Sequence, residues 1–195
     1  HFSYPQNFNY KKNTYFIPEM SEENRNKIWK FINKKKLKDQ NYLLGYKVID
    51  PTVFKYKGYF WLFCCLKKHN KNDNNLHLFY SKNPTDSWIN HKKNPILKNI
   101  KSVRPAGSII FYNKKIYRPS QNITSNGYGS ELIINKIEHI SINDYKEKKV
   151  FTIKPSKPYQ GFHHISYSNN YMAFDQKKIV YSFLKPIYYL IKSFR

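Results

Sequence analysis

The chain has 195 residues, with 35 Lys and Arg against 12 Asp and Glu and a formal net charge of +23. That length holds one domain or two small ones and buries a sizeable core, and an aromatic content of 18% excludes an unfolded polar chain. The charge excludes a second strongly basic surface as partner and suggests nucleic acid; yet only four of the basic residues are Arg, and Asn, Tyr and Ile abound, the mixture of an A/T-rich coding sequence, so much of the charge reads as background.

In chain order, four segments share one design. They are Phe8 to Ile17, Val53 to Leu62, Ile109 to Tyr117 and Ile165 to Phe174, each an apolar strand, a short turn of Asn, Gly, Lys or Ser, and a second aromatic-rich strand. With Tyr10, Tyr56, Tyr112 and Tyr167 taken as equivalent, the spacings are 46, 56 and 55 residues. A repeat near that length opening on a hairpin is one four-stranded propeller blade. The fold expected is all-β, a β-propeller with about four visible blades over residues 1–178, followed by a closing strand or surface helix over 179–195.

Further strands are expected around Ile28 to Phe31, where a helix over Glu22 to Lys38 is the alternative, and at Leu76 to Ser81 and Glu131 to Ile137. Trp88 and Tyr145 to Glu147 stand where outer strands or their entries belong, and Lys67 to Asn75 reads as a solvated loop. Cys64 and Cys65 are adjacent in an apolar run, where strand geometry sends them to opposite faces and strains a mutual disulfide, so both are expected to be reduced core residues. With no apolar segment of about 18 residues and no signal peptide, a soluble cytoplasmic protein is expected. The first residue is His, and a blade upstream of it is expected to be missing.

Acids and arginines are scarce, so their positions carry information. Before the first strand of each hairpin stand His1 to Pro5, Asp50-Pro51-Thr52, Arg104-Pro105-Ala106-Gly107 and Gly161-Phe162-His163-His164. In a propeller this repeat phase lines the central channel, so these residues converge. The second strands end on Pro18-Glu19, Arg118-Pro119-Ser120-Gln121 and Phe174-Asp175, one layer out. The catalytic candidates are therefore Asp50, Glu19 and Asp175, and the substrate-binding candidates His1, Arg104, Arg118, Gln121, His163 and His164. Such a set suits hydroxyl-rich or phosphorylated ligands.

Plainer roles compete at several positions. Arg104 and Arg118 can tie neighbouring blades to acids, Asp50 can cap a turn, and Glu19 can be a solvated strand end. His163 and His164, adjacent on a strand, are expected to divide between channel and blade packing, which excludes a shared metal ion. His91 and Trp88 read as blade packing. No cofactor is expected, since no phosphate loop, nucleophile elbow or Cys-based metal site is present.

The succession Ser3-Tyr4-Pro5, Ile17-Pro18-Glu19, Asp50-Pro51-Thr52, Leu76 to Tyr80, Trp88-x-x-His91-x-x-Asn94-Pro95, Arg104 to Gly107, Tyr117-Arg118-Pro119-x-Gln121, Tyr128-Gly129 and Gly161-x-His163 resembles the propeller domain at the N-terminus of plant glucosamine inositolphosphorylceramide transferases and in bacterial stand-alone relatives. The resemblance implies a five-bladed propeller similar to glycoside hydrolases of families 32, 43 and 68, in which three carboxylates at the channel hydrolyse a glycosidic bond. It also implies that transferase chemistry belongs to a separate C-terminal domain. The chain departs from the family at Asn122, where an Asp usually follows the Gln, and at Gln176, where a Gly usually follows the Asp. The function expected is a carbohydrate-associated propeller, binding or processing a glycan. Whether it is an enzyme is left open, and a non-catalytic module contacting anionic polymers or a membrane surface is the alternative. A dedicated nucleic-acid partner is not expected, because the basic residues are scattered through all repeats.

Overall fold

Four hairpins found four antiparallel sheets. The structure, a computed structural model, describes residues 2–20, 25–45, 47–68, 71–72, 74–98, 101–124, 127–168 and 171–178. The first sheet is β1 (Phe2–Tyr10), β2 (Asn13–Met20), β3 (Lys27–Asn33) and β4 (Lys36–Tyr42), in that order. In the second, β5 (Val48–Tyr56), β6 (Tyr59–Lys68) and β8 (Asn75–Ser81) carry three short strands: β7 (Lys71–Asn72) on β6, and β9 (Ile89–Asn90) and β10 (Leu97–Lys98) on β8. The third runs β11 (Ile110–Tyr112), β12 (Lys115–Thr124), β13 (Gly127–Ile140) and β14 (Tyr145–Ile153), and β15 (Ile165–Ser168) pairs with β16 (Tyr171–Phe174) in the last.

Burial on both faces explains the apolar run of β6. Phe60, Leu62, Cys64 and Leu66 pack with Phe8, Tyr15, Ile17 and Ile28 of the first sheet. Trp61, Phe63 and Cys65 pack the other way, with Ile116, Ile137 and Ile140 of the third. The period-2 alternation of a strand produces this division, and it places the two cysteines on opposite faces, both buried. A smaller core of Ala106, Leu132, Phe162 and Ile165 joins the third sheet to the last. Sheets stacked face to face in chain order make a β-propeller.

Three of the hairpins close through two residues at positive φ: Lys11 and Lys12 at 45° and 60°, Lys57 and Gly58 at 46° and 80°, Asn113 and Lys114 at 46° and 59°. These are type I′ turns, whose twist matches the flanking strands. A side chain in the left-handed region costs roughly 1–2 kcal/mol, and a glycine there costs roughly 0.5–1 kcal/mol of extra chain entropy. Lys12→Gly is therefore expected to stabilise the fold by about 0.5–1 kcal/mol, seen as a higher urea midpoint at unchanged m-value.

Register corrects one alignment. Tyr10, Tyr56 and Tyr112 each pair with the residue just past a two-residue turn, but in the last hairpin Ser168 pairs with Tyr171 while Tyr167 pairs with Met172. Ser168, not Tyr167, is the equivalent position; the aromatic pattern is displaced by one residue. The segment 67–75 is likewise more than a loop, because Lys67 and Lys68 pair with Asn72 and Lys71. Strand, not helix, is correct for Ile28 to Phe31, which lies within β3. The terminal segment 179–195 lies outside the described residues.

Candidate active site

Two bulges aim the central side chains. Register breaks between Ser3 and Gln6 in β1 and between Ile49 and Thr52 in β5, and the residues at the breaks, Tyr4 and Asp50, both adopt positive φ, 47° and 51°. Each precedes a proline. Positive φ is uncommon for non-glycine residues, and a bulge of this kind re-aims a side chain out of the pleat. Both point to a cavity of about 1010 Å³ lined by residues of the first, second and third sheets and by the segment around β15 and β16.

Asp50 is the hub. Its Oδ2 accepts from Arg104 Nε and Nη2, each at 2.7 Å, and from Gln121 Nε2 at 3.2 Å, while its backbone N–H donates to Glu19 Oε2 at 3.1 Å. The first and third sheets thus meet the second at this one residue. Burial pushes its pKa up to about 7: Arg104 opposes the shift, and the charge and hydrogen bond of Glu19 reinforce it. The shift brings the Asp50 carboxyl toward protonation near neutrality, beside the Arg104 guanidinium.

Gln121 leaves an acceptor unused. Its Nε2 also donates to the Pro105 carbonyl at 2.9 Å, so two acceptors fix the amide orientation. That turns Oε1 into a buried atom without a partner. Buried polar atoms are nearly always hydrogen-bonded, and this one belongs to a residue lining the cavity.

Tyr4 stands beside this group. Its hydroxyl accepts the Gly107 N–H at 2.6 Å and bonds the Thr52 hydroxyl at 2.7 Å, and its ring meets His164 edge-on at 5.1 Å. Burial first, then the Asp50 charge, pushes its pKa well above the usual phenol range. Gly107 has φ of 115°, and a Cβ there would lie 1.8 Å from the Ile165 carbonyl oxygen, so only glycine lets the segment before β11 bridge to Ile165.

Both histidines face the cavity, which corrects the expected division between channel and packing. They precede β15 instead of lying within it, so strand alternation does not separate them. Asp175 holds the pair: Oδ1 accepts both backbone N–H groups, at 3.1 and 2.9 Å, and Oδ2 bonds His163 Nδ1. Burial raises the Asp175 pKa, but the hydrogen bond and charge of His163 outweigh it and hold the group below the ordinary carboxylate range. Burial lowers the pKa of His164, whose Nε2 bonds Ser166 Oγ at 2.8 Å.

Arg118 is not at the cavity, and its expected substrate contact is corrected. It is fully buried, with Nε and Nη2 on Glu147 at 2.8 and 2.6 Å and Nη2 also on the Ser102 carbonyl at 2.8 Å. The strand turns it toward β14 because Gln121, three residues on, takes the opposite face. His1 lies outside the described residues. Glu19, Asp50, Asp175, Arg104, Gln121, His163 and His164 do come together.

The family model described as "Glucosamine inositolphosphorylceramide transferase 1, N-terminal" matches residues 1–179. The chain belongs to that family. Glucosamine inositolphosphorylceramide transferase 1 of Arabidopsis thaliana is 30% identical over 165 residues, covering 80% of this chain and 21% of that protein. Its counterpart in Oryza sativa subsp. japonica is 32% identical over 157 residues, covering 77% of this chain and 21% of the relative. The chain thus spans about a fifth of the curated relatives it matches. A thermostable family-43 glycoside hydrolase has a TM-score of 0.64 at 17% identity, covering 90% of this chain and 64% of the other. The Bombyx mori GH32 β-fructofuranosidase has a TM-score of 0.65 at 8% identity, covering 93% and 42%. At such identities the likeness is one of fold.

Within this glucosamine inositolphosphorylceramide transferase N-terminal family member, sequence reasoning passed over Tyr4 as a site residue. The signal was available: Tyr4-Pro5 precedes Asp50-Pro51 by 46 residues, the same interval that separates Tyr10 from Tyr56. The departure at Asn122 also has a local reason. Its Nδ2 donates to Glu131 Oε2 at 2.8 Å across the strand pair, where an Asp would oppose a like charge.

Proposed function

We propose that the cavity binds a hydroxyl-rich sugar or cyclitol head group and that this chain serves glycosyl transfer as a glycan-recognition propeller. The observation that carries the reading is the cluster of Asp50, Arg104 and Gln121 on the cavity wall, which shares that cavity with His163 and His164. The relatives, glucosamine inositolphosphorylceramide transferases, point to the chemical class, a glucosamine unit and an inositol-bearing lipid. Asp175 orients His163 toward the same space. The cavity also touches exposed side chains of β16, among them Tyr171 at 81% and Phe174 at 58%.

An acid-base reading has one observation of its own. Asp50, raised to about 7, has the environment of a general acid, with the carboxyl group of Glu19 beside it. Glycoside hydrolysis needs such a pair.

Titration of glucosamine, myo-inositol and xylose, followed by NMR shifts of Gln121 and Arg104 side-chain protons, tests the binding reading. Binding should be nearly unchanged between about 0.05 and 0.5 M salt, since hydrogen bonds in a partly desolvated pocket are weakly screened. Binding to random DNA should vanish over that range by counterion uptake. Failure of all three compounds to shift those protons, with DNA affinity surviving about 0.5 M salt, would put nucleic acid first.

A further inference from the structure

At the opposite end of the sheets lies a second cleft that the glycan reading does not use. Asp50 is six residues before the end of β5, a separation of roughly 20 Å at the rise of a strand. There the turn after β5 approaches the turn after β11, leaving a cleft of about 190 Å³. Its polar lining includes Lys57, Lys114, Lys115 and Lys136, and buried Ile116, Ile137 and Ile140 form its floor.

The charge in this cleft is unbalanced. Glu138 also lines it, but its carboxylate is bonded by Lys148 at 3.1 Å and Lys146 at 3.4 Å, neither of which lines the cleft. Among the described residues no ion pair engages Lys57, Lys114, Lys115 or Lys136. Lys57 lies only over the Tyr56 ring, at 5.3 Å. Lys57 and Lys114 sit in the type I′ turns that close β5–β6 and β11–β12, so both side chains are carried at hairpin tips.

We propose that this cleft is an anion site that takes a phosphate group. Lysines act as rotatable point charges, suited to a compact multiply charged anion, whereas a carboxylate is best matched by the guanidinium fork that the cleft lacks. The volume corresponds to about six water molecules at ~30 Å³ each, room for one phosphate and its remaining hydration but not for a nucleic-acid duplex. The phosphate can belong to a soluble ester or to a lipid head group, and the two sources separate experimentally.

Inorganic phosphate is titrated into the 195-residue chain at constant ionic strength, following the backbone amides of the two turns. The variant K57Q/K114Q/K115Q/K136Q, which removes four charge interactions with the anion, is expected to weaken phosphate binding by about tenfold or more. The control K34Q/K35Q/K36Q/K38Q removes the same charge from the exposed end of the first sheet and is expected to weaken it less than about twofold. Equal losses in both variants, with melting temperatures unchanged, would overturn the site. Phosphatidylcholine vesicles containing phosphatidylinositol 4-phosphate form the second arm. Sedimentation with vesicles that the cleft variant abolishes supports a lipid source, and phosphate binding without sedimentation supports a soluble ester. Vesicle binding that the cleft variant leaves intact, without saturable phosphate binding, would overturn the proposal.

Discussion

Replacing Arg118 by Met is expected to destabilise the fold by about 3–5 kcal/mol, a large part of what a domain of this size has. Arg118 is completely buried and supplies two hydrogen bonds to Glu147, whose side chain is itself 5% exposed. Tyr145 donates to the same carboxylate, and the guanidinium lies over the Phe63 ring, tying the third sheet to the second. Burial alone would lower the Arg118 pKa, but Glu147 overrides it and keeps the group charged. Removing the cation strands a carboxylate in the interior, and that penalty, more than the lost attraction, sets the magnitude. The double variant R118M/E147L should recover most of the stability, because a packed apolar pair is often as good as a buried ion pair. Urea unfolding of both variants decides the matter: equal losses in single and double variants would show that packing, not charge compensation, is at stake.

The same residue shows how far the sequence could be read. Scarcity of arginine drew attention to positions 104 and 118, but scarcity does not say which partner each one meets. At Arg104 the partner is Asp50, in the neighbouring sheet and at the same repeat phase, so the hairpin spacing anticipated the meeting. At Arg118 it is Glu147 on the outer strand β14, a pairing set by the register of β12, β13 and β14, which no spacing displays. The inner strands were legible because each is an apolar run followed by a two-residue turn. Bulges were not. Tyr4 and Asp50 reach the cavity through left-handed backbone that only the folded ladder imposes. Likewise His163 and His164 were assigned to opposite faces by a strand rule, although the strand begins two residues after His163.

Arg104→Lys is expected to weaken sugar binding at least about tenfold, or roughly 1.4 kcal/mol, while leaving the salt-sensitive affinity for random DNA unchanged. The guanidinium places two N–H groups on Asp50 Oδ2 at 2.7 Å, and an ammonium keeps the charge but cannot reproduce both contacts from one planar group. Asp50 would then lose its fixed orientation toward Gln121, and with it the geometry around the unpartnered amide oxygen. Asp50→Asn separates orientation from protonation. In the folded protein burial raises the Asp50 pKa to about 7, against 3.8 as its ordinary value. The folded state therefore binds more protons than the unfolded state between about pH 4 and 7, so this group's contribution to stability falls as pH rises through that window and levels off above it. Asn at this position has no proton to lose. The lowered pKa values of His91 and His164 act the other way, adding stability as pH rises from 5, so the urea midpoint of the wild-type chain, taken relative to that of Asp50→Asn, should fall between pH 5 and pH 8. An unchanged pH difference in the variant would mean that Asp50 is ionised throughout, held by Arg104, and the acid-base reading of this cavity would fall while the binding reading stood.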